Sequence, residues 1–279
     1  MSPTRRTLLA VTVGLLGCSE KPIDRTAPKR SADVEDSSMA AVPSPTAPAK
    51  REAPRHVEVD AGGRVRVDGF EAGDTSAILD SGQMRKVDDL FGRLKRRRED
   101  WKDAHPGEAF PGVVDLHVLR QTPALVLKSV FQTIAFAGYP NITIYVPGAP
   151  VGFPAEAQIP EPPFPEPEPV KVTVLHLVVG TKDAGALDGA DLTWKRGLEI
   201  LSTRHVSASE VERAVCEEWR VKGAHTAPSD PKLDGVVVHV ENRLNAGEIV
   251  PYLSAVQQCT RRMPDGSEGR ALTLTFSVR

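Results

Sequence analysis

Seven histidines and three cysteines are the residues of this sequence best suited to metal or nucleophilic chemistry, and their spacing excludes most of it. No His-x-x-x-His or Cys-x-x-Cys arrangement occurs, so no zinc-type ligand set is spelled out locally. His117 and His239 stand in the similar stretches Asp115-Leu116-His117-Val118 and Val237-Val238-His239-Val240. They are expected as ordinary strand histidines in separate domains, with no metal and no cofactor. Cys216 and Cys259 fall on two predicted helices. A disulfide between them needs a Cα separation near about 4.4–6.8 Å, and two buried free thiols are the other arrangement. No base adjoins either cysteine, which argues against thiol catalysis. There is no Gly-rich phosphate loop and no nucleophile elbow, and a Ser-His-Asp triad is a matter of geometry, so no catalytic residue is assigned. Lys95-Arg96-Arg97-Arg98 ends a helix, where cations suit the negative terminus. Glu99, Asp100 and Asp103 follow, so a solvated helix end is expected there rather than an anion site.

The third cysteine has a different setting. Arg5 and Arg6 precede the apolar run Leu8 to Leu16, and Leu15-Leu16-Gly17-Cys18 ends it. That run is too short to cross about 30 Å of hydrocarbon, so it reads as a cleaved export signal. Its ending resembles the lipobox of bacterial lipoproteins, which implies cleavage before Cys18 and acylation of its thiol. Arg5-Arg6-Thr7-Leu8-Leu9 also looks like a twin-arginine signal. Ser19 after the cysteine favours the outer membrane. Several acyl chains on one residue suffice for stable anchoring.

Stepping outward, 279 residues leave room for one large domain or two small ones, and a net charge of −2 argues against nucleic acid as a partner. With Cys18 lipidated, the remaining cysteines form an even pair in an oxidising compartment. Residues 19–55 are rich in Ser, Ala, Pro, Lys and Glu and read as a disordered tether, because they cannot bury enough apolar surface to offset ordering entropy. Residues 147–169 form a Pro-rich linker, an extended spacer at about 3.1 Å per residue. Two folded segments remain, 56–146 and 170–279, each the size of a small domain.

The two segments share one order of elements. In the first, alternating valines flank the turn Asp60-Ala61-Gly62-Gly63, a hairpin signal. A helix follows with Met84, Val87, Leu90, Phe91 and Leu94 on one face, then a strand over 113–119. Thr122-Pro123 opens a second helix bearing Leu127, Val130, Phe131 and Ile134, closed by Gly138. The last strand is 142–146. In the second segment, 172–179 and 191–198 form the hairpin, and Ser207-x-x-Glu210 caps a helix carrying Val211, Ala214, Val215 and Trp219. A strand over 235–240 follows. Asn245-x-x-Glu248 caps the next helix, with Ile249, Leu253 and Val256 inward, and Pro251 implies a kink or a later start. Residues 272–278 form the last strand. The fold class is therefore α+β: two tandem ββαβαβ domains, each a small sheet with two helices on one face.

This order, with Ala137-Gly138-Tyr139-x-x-Ile142 closing the second helix, resembles the periplasmic domain of the ExbD/TolR family. The resemblance spans both segments. In the second, Gln258-Cys259-Thr260 replaces the Ala-Gly-aromatic helix end; where the family tends to place an aspartate after the third strand, the first segment has Leu119 and the second Glu241. Family members carry a transmembrane helix with a proton-linked aspartate; here a cleavable signal takes its place, so no proton-conducting residue is implied. The resemblance implies a non-enzymatic envelope lipoprotein, a binding or accessory component of biopolymer transport or an envelope motor. Its expected partners are the membrane, through the lipid, and motor proteins docking on open sheet edges. A structural tether that binds peptidoglycan is the alternative.

Overall fold

A computed structural model describes residues 53–153, 173–181 and 187–278. Cys18 with its export signal, the tether as far as residue 52, residues 154–169 of the linker and the first residues of the second segment, 170–172, lie outside the described residues. All described residues belong to one compact unit. None of their helices is long and apolar enough to cross a membrane.

In the first half, β1 (Arg55–Val59), β2 (Arg64–Val67) and β3 (Phe70–Asp74) form an antiparallel meander. Helices α1 (Ser76–Ser81) and α2 (Asp88–Ala104) lead to β4 (Val113–Val118). Helix α3 (Ala124–Phe136), β5 (Asn141–Val146) and β6 (Ala149–Phe153) follow. The sheet order is β3-β2-β1-β4-β5-β6, with β1, β4 and β5 parallel.

The second half begins with β7 (Thr173–Thr181), β8 (Leu187–Arg196) and β9 (Glu199–Val206). It continues through α4 (Val211–Lys222), β10 (Asp234–Val240) and α5 (Ala246–Gln258). A small hairpin of β11 (Thr260–Arg262) and β12 (Glu268–Arg270) precedes β13 (Leu272–Phe276). Its sheet order is β13-β10-β7-β8-β9, with β7, β10 and β13 parallel. The chain is thus α+β, with two mixed sheets.

Alternation explains the layers. Val57 and Val59, Val114, Leu116 and Val118, and Ile142, Ile144 and Val146 are buried, while the residues between them are partly exposed. Leu175, Leu177 and Val179, with Val236, Val238 and Val240, repeat this in the second sheet. Each sheet therefore buries one face under helices and leaves the other open. Each such Val, Leu or Ile contributes roughly 1.5–3 kcal/mol on full burial.

Several elements depart from the sequence expectation. Asp68 and Gly69 both take positive φ (50° and 83°), and this turn folds the Gly- and acid-containing β3 back onto β2. Residues 149–153, expected in the spacer, pair with β5. The second strand of the β7–β8 hairpin ends at Arg196; Leu198 lies in the turn to β9. Met84 precedes α2 and packs against the core from a loop. Helix α5 starts at Ala246 and runs through Pro251 to Gln258, its start held by the Glu248 carboxylate accepting from the Asn245 N–H at 2.7 Å. Gly138 closes α3 at φ 89°, where a Cβ would collide with Arg98.

Thr122 does not cap α3. Its hydroxyl accepts from the Leu119 N–H (3.1 Å), and the first N–H groups of α3 turn to the other half. Ala124 N–H donates to the Leu244 carbonyl (2.7 Å), and Ala246 N–H donates to the Thr122 carbonyl (2.8 Å). Leu125 N–H likewise reaches the Asn242 carbonyl (3.4 Å), and Gly247 N–H the Arg120 carbonyl (2.8 Å). Two helix starts thus satisfy their orphan donors reciprocally, each on the loop before the other. Phe131, Phe153 and Phe276 add an aromatic cluster across the same junction, with centroids 5.1 to 6.0 Å apart. The buried Lys128 donates from α3 to the Val240 carbonyl (2.6 Å) and to Asn242 Oδ1 (3.0 Å).

Candidate functional site

Of the residues singled out in the sequence, Cys216 and Cys259 are brought together. Their sulfurs meet and their Cα atoms are 5.4 Å apart, within the span of a disulfide that would join α4 to the end of α5. His117 and His239 lie in different sheets. Each has a histidine neighbour that the sequence reading missed, His56 and His176 respectively. Among the described residues no group of three or more His, Cys, Asp and Glu side chains is arranged to hold a metal ion. In the basic run, Arg97 pairs with Asp68 (2.7 Å), Arg98 donates to the Ala137 carbonyl (3.2 Å) and Lys95 approaches Glu99 (3.8 Å). The run does not end the helix as expected: α2 continues to Ala104, and Arg97 and Arg98 tie its middle to the turn after β2 and the end of α3.

A groove of about 1080 Å³ runs between α2 and the meander. Arg55, Arg93 and Arg96 line it together with Glu71, Asp88 and Asp100, so its charge is balanced and selects neither anions nor cations. The distinguishing feature lies at the sheet edges. A strand edge offers unpaired N–H and C=O groups to any extended chain. Edge β3 packs against α2. Edge β6 is closed at Gly152, whose N–H donates to Gln257 Oε1 (3.4 Å) and whose carbonyl accepts from the Gln257 amide. Edge β13 abuts β6. Strand β9 is long, eight residues, and its side chains from Glu199 to His205 are exposed apart from the partly covered Ser202.

Strand β9 is held firmly from behind. It pairs with β8 from Ala190↔Val206 to Arg196↔Glu199, with one irregularity between Trp194 and Lys195. Thr193 and Thr203 hydroxyls meet at 3.2 Å, and His205 Nδ1 lies 2.8 Å from Asp191. Helix α4 backs the hairpin. Buried Trp194 donates its indole N–H to Glu218 (3.1 Å), Lys222 bridges Glu218 (2.7 Å) and Ser202 (3.0 Å), and Arg204 reaches Glu217 (3.5 Å). Burial pushes the Glu218 carboxyl upward, but Lys222, Trp194 and Arg204 outweigh it and hold the pKa below the usual range. The network keeps that carboxylate charged and the hairpin in place.

The free edge carries apolar side chains where water should be. Leu198 at the turn is fully exposed, Ile200 is 62 % exposed and Leu201 41 %. Natural edge strands usually defend themselves with charge, proline or a bulge, and β9 has two of these: Leu201 is an extra residue between the Lys195↔Ile200 and Trp194↔Ser202 pairs, and Arg204 and His205 are exposed further along. These defences lie around and beyond the bulge, and the stretch Leu198-Glu199-Ile200-Leu201 at the turn end still exposes three apolar side chains beside one charge. The geometry suits addition of a partner strand: backbone groups supply affinity, and Ile200 and Leu201 supply apolar contacts. Sequence reasoning anticipated open edges as docking surfaces but did not locate this one. The signal available was three apolar residues, Leu198, Ile200 and Leu201, just past Gly197, a glycine that favours a turn.

No family model and no curated protein matches the chain.

Proposed function

We propose that the chain is an exported, lipid-anchored binding protein of the bacterial envelope that captures an extended segment of a partner along β9. The observation that carries the proposal is the open, apolar and rigidly backed edge of that strand. No catalytic role is included, since the sequence spells out no metal-ligand spacing, phosphate loop or nucleophile elbow. The element order and Ala137-Gly138-Tyr139 support ExbD/TolR-like domains, and with them an accessory role beside an envelope transport motor. The lipobox-like Leu15-Leu16-Gly17-Cys18 supports the anchor, and Ser19 favours the periplasmic face of the outer membrane.

Two experiments separate the parts of this reading. Cys18→Ser should abolish incorporation of labelled fatty acid and shift the chain from the membrane to the soluble fraction; unchanged fractionation counts against the anchor. Affinity purification of the full chain from separated, solubilised membranes after mild crosslinking should recover motor components. The Ile200→Lys/Leu201→Lys variant, altered only at exposed positions, should reduce that recovery about tenfold or more. Recovery of none from intact envelopes, or undiminished recovery with the variant, sinks the docking proposal.

A further inference from the structure

Both sheets carry a histidine pair at the same register. In the second, His176 of β7 lies opposite Val237 and His239 of β10 lies opposite Val178, so the rings meet across the diagonal of a parallel pair. They stack with centroids 5.1 Å apart at 10°, and His176 Nδ1 is 2.8 Å from His239 Nε2. In the first, His56 lies opposite Asp115 and His117 opposite Glu58, with ring centroids 4.1 Å apart. The neighbouring positions have diverged, since Glu58 and Asp115 correspond to Val178 and Val237. Both histidines are nonetheless present in both halves.

A hydrogen bond between two imidazoles requires that one of the facing nitrogens keep its lone pair. The bond survives with the pair neutral or carrying one extra proton. With both rings protonated, two N–H groups and two positive charges face each other. The surroundings make this worse. Lys195 on β8 repels charge on either ring, and Lys128 on α3 repels charge on His239. Strand β13 contributes Thr275 beside Val237, which does not titrate. The carboxylates of this region are already engaged, Asp191 by His205 and Glu241 by Arg243.

We propose that the His176–His239 pair is an acid-operated latch: double protonation parts β7 from β10 and loosens the sheet that carries β9. The latch rests on sheet geometry and does not depend on the docking role of β9. Burial, with His239 and Lys195, brings the His176 pKa down to about 4, and burial with the two lysines lowers that of His239. In the unfolded chain both titrate near about 6.5, so below that pH the unfolded state binds more protons than the folded one. The stability is therefore intact above about pH 6.5 and is lost as the pH falls toward about 4.

Side-chain NMR of the purified full chain between pH 7.5 and 4, with melting temperatures over the same range, tests the latch. The His176 signal should titrate at about 4 and the His239 signal below its ordinary value, the two coupled, with broadening in β7 and β10. The melting temperature should fall on the order of 5–10 °C further in the wild type than in His176→Asn/His239→Gln. Independent titration of either ring at the ordinary histidine pKa overturns the proposal, as do parallel melting profiles. Should the double variant fail to fold, the wild-type titration decides alone.

Discussion

Replacing Lys128 with alanine should destabilise the folded chain by about 3 kcal/mol, measured by urea unfolding at neutral pH. Truncation removes buried methylenes at about 0.8 kcal/mol each and leaves a void in α3. It also leaves the Val240 carbonyl and Asn242 Oδ1, both from the other half, without the ammonium that bonds them at 2.6 and 3.0 Å. Against this stands relief from burying a charge, which is also why burial lowers the Lys128 pKa. Lys128→Met separates the terms, since it keeps the stem and drops the charge. A loss of about 1–2 kcal/mol is expected there, smaller than for alanine. An alanine variant within experimental error of the wild type would show that the lysine does not join the halves.

Arg261→Ala is the second large effect, at about 3 kcal/mol or more. Arg261 is only 7 % exposed, and its guanidinium fork donates to four carbonyls of the connection between α4 and β10. These belong to His225 (2.6 Å), Ala227 (3.1 Å), Asp230 (2.6 Å) and Lys232 (2.5 Å). Asp234 braces the same connection from the other side, accepting from the Trp219 indole (2.9 Å), the Ala224 N–H (3.1 Å) and the His225 N–H (3.0 Å). Without the fork, the carbonyls must find water or the loop must open. Arg261→Lys should recover less than half of the loss, because an ammonium cannot reproduce a planar fork. Hydrogen exchange should localise the damage to residues 223–233. A lysine variant as stable as the wild type would mean that charge, not fork geometry, holds the loop.

The central strands and helices were legible in the sequence because each obeys one period. Val236, Val238 and Val240 alternate with partly exposed residues, and Leu127, Val130 and Ile134 recur at helical spacing. What could not be read depends on residues far apart or on composition that points elsewhere. Strand β3 has glycine and acids in place of β-formers, and β6 begins among prolines and glycine. The expected strand over 191–198 runs through Gly197, whose φ of 60° turns the chain there instead. The reciprocal capping of α3 and α5 joins backbone groups more than one hundred residues apart, which no local motif announces. The candidate edge was hidden for the same reason: whether a strand is last in its sheet is a fact of topology. The histidine pairs were half legible, since the strand repeat aligned His117 with His239 but not the neighbours His56 and His176.

Site-specific photocrosslinking in the native cells tests the docking claim most directly. A photoreactive amino acid replacing Thr203, exposed on β9, should yield an adduct with one defined envelope protein. The same group replacing Glu99, exposed on α2, should yield none. Position 203 giving no adduct beyond that seen at position 99 would contradict the account.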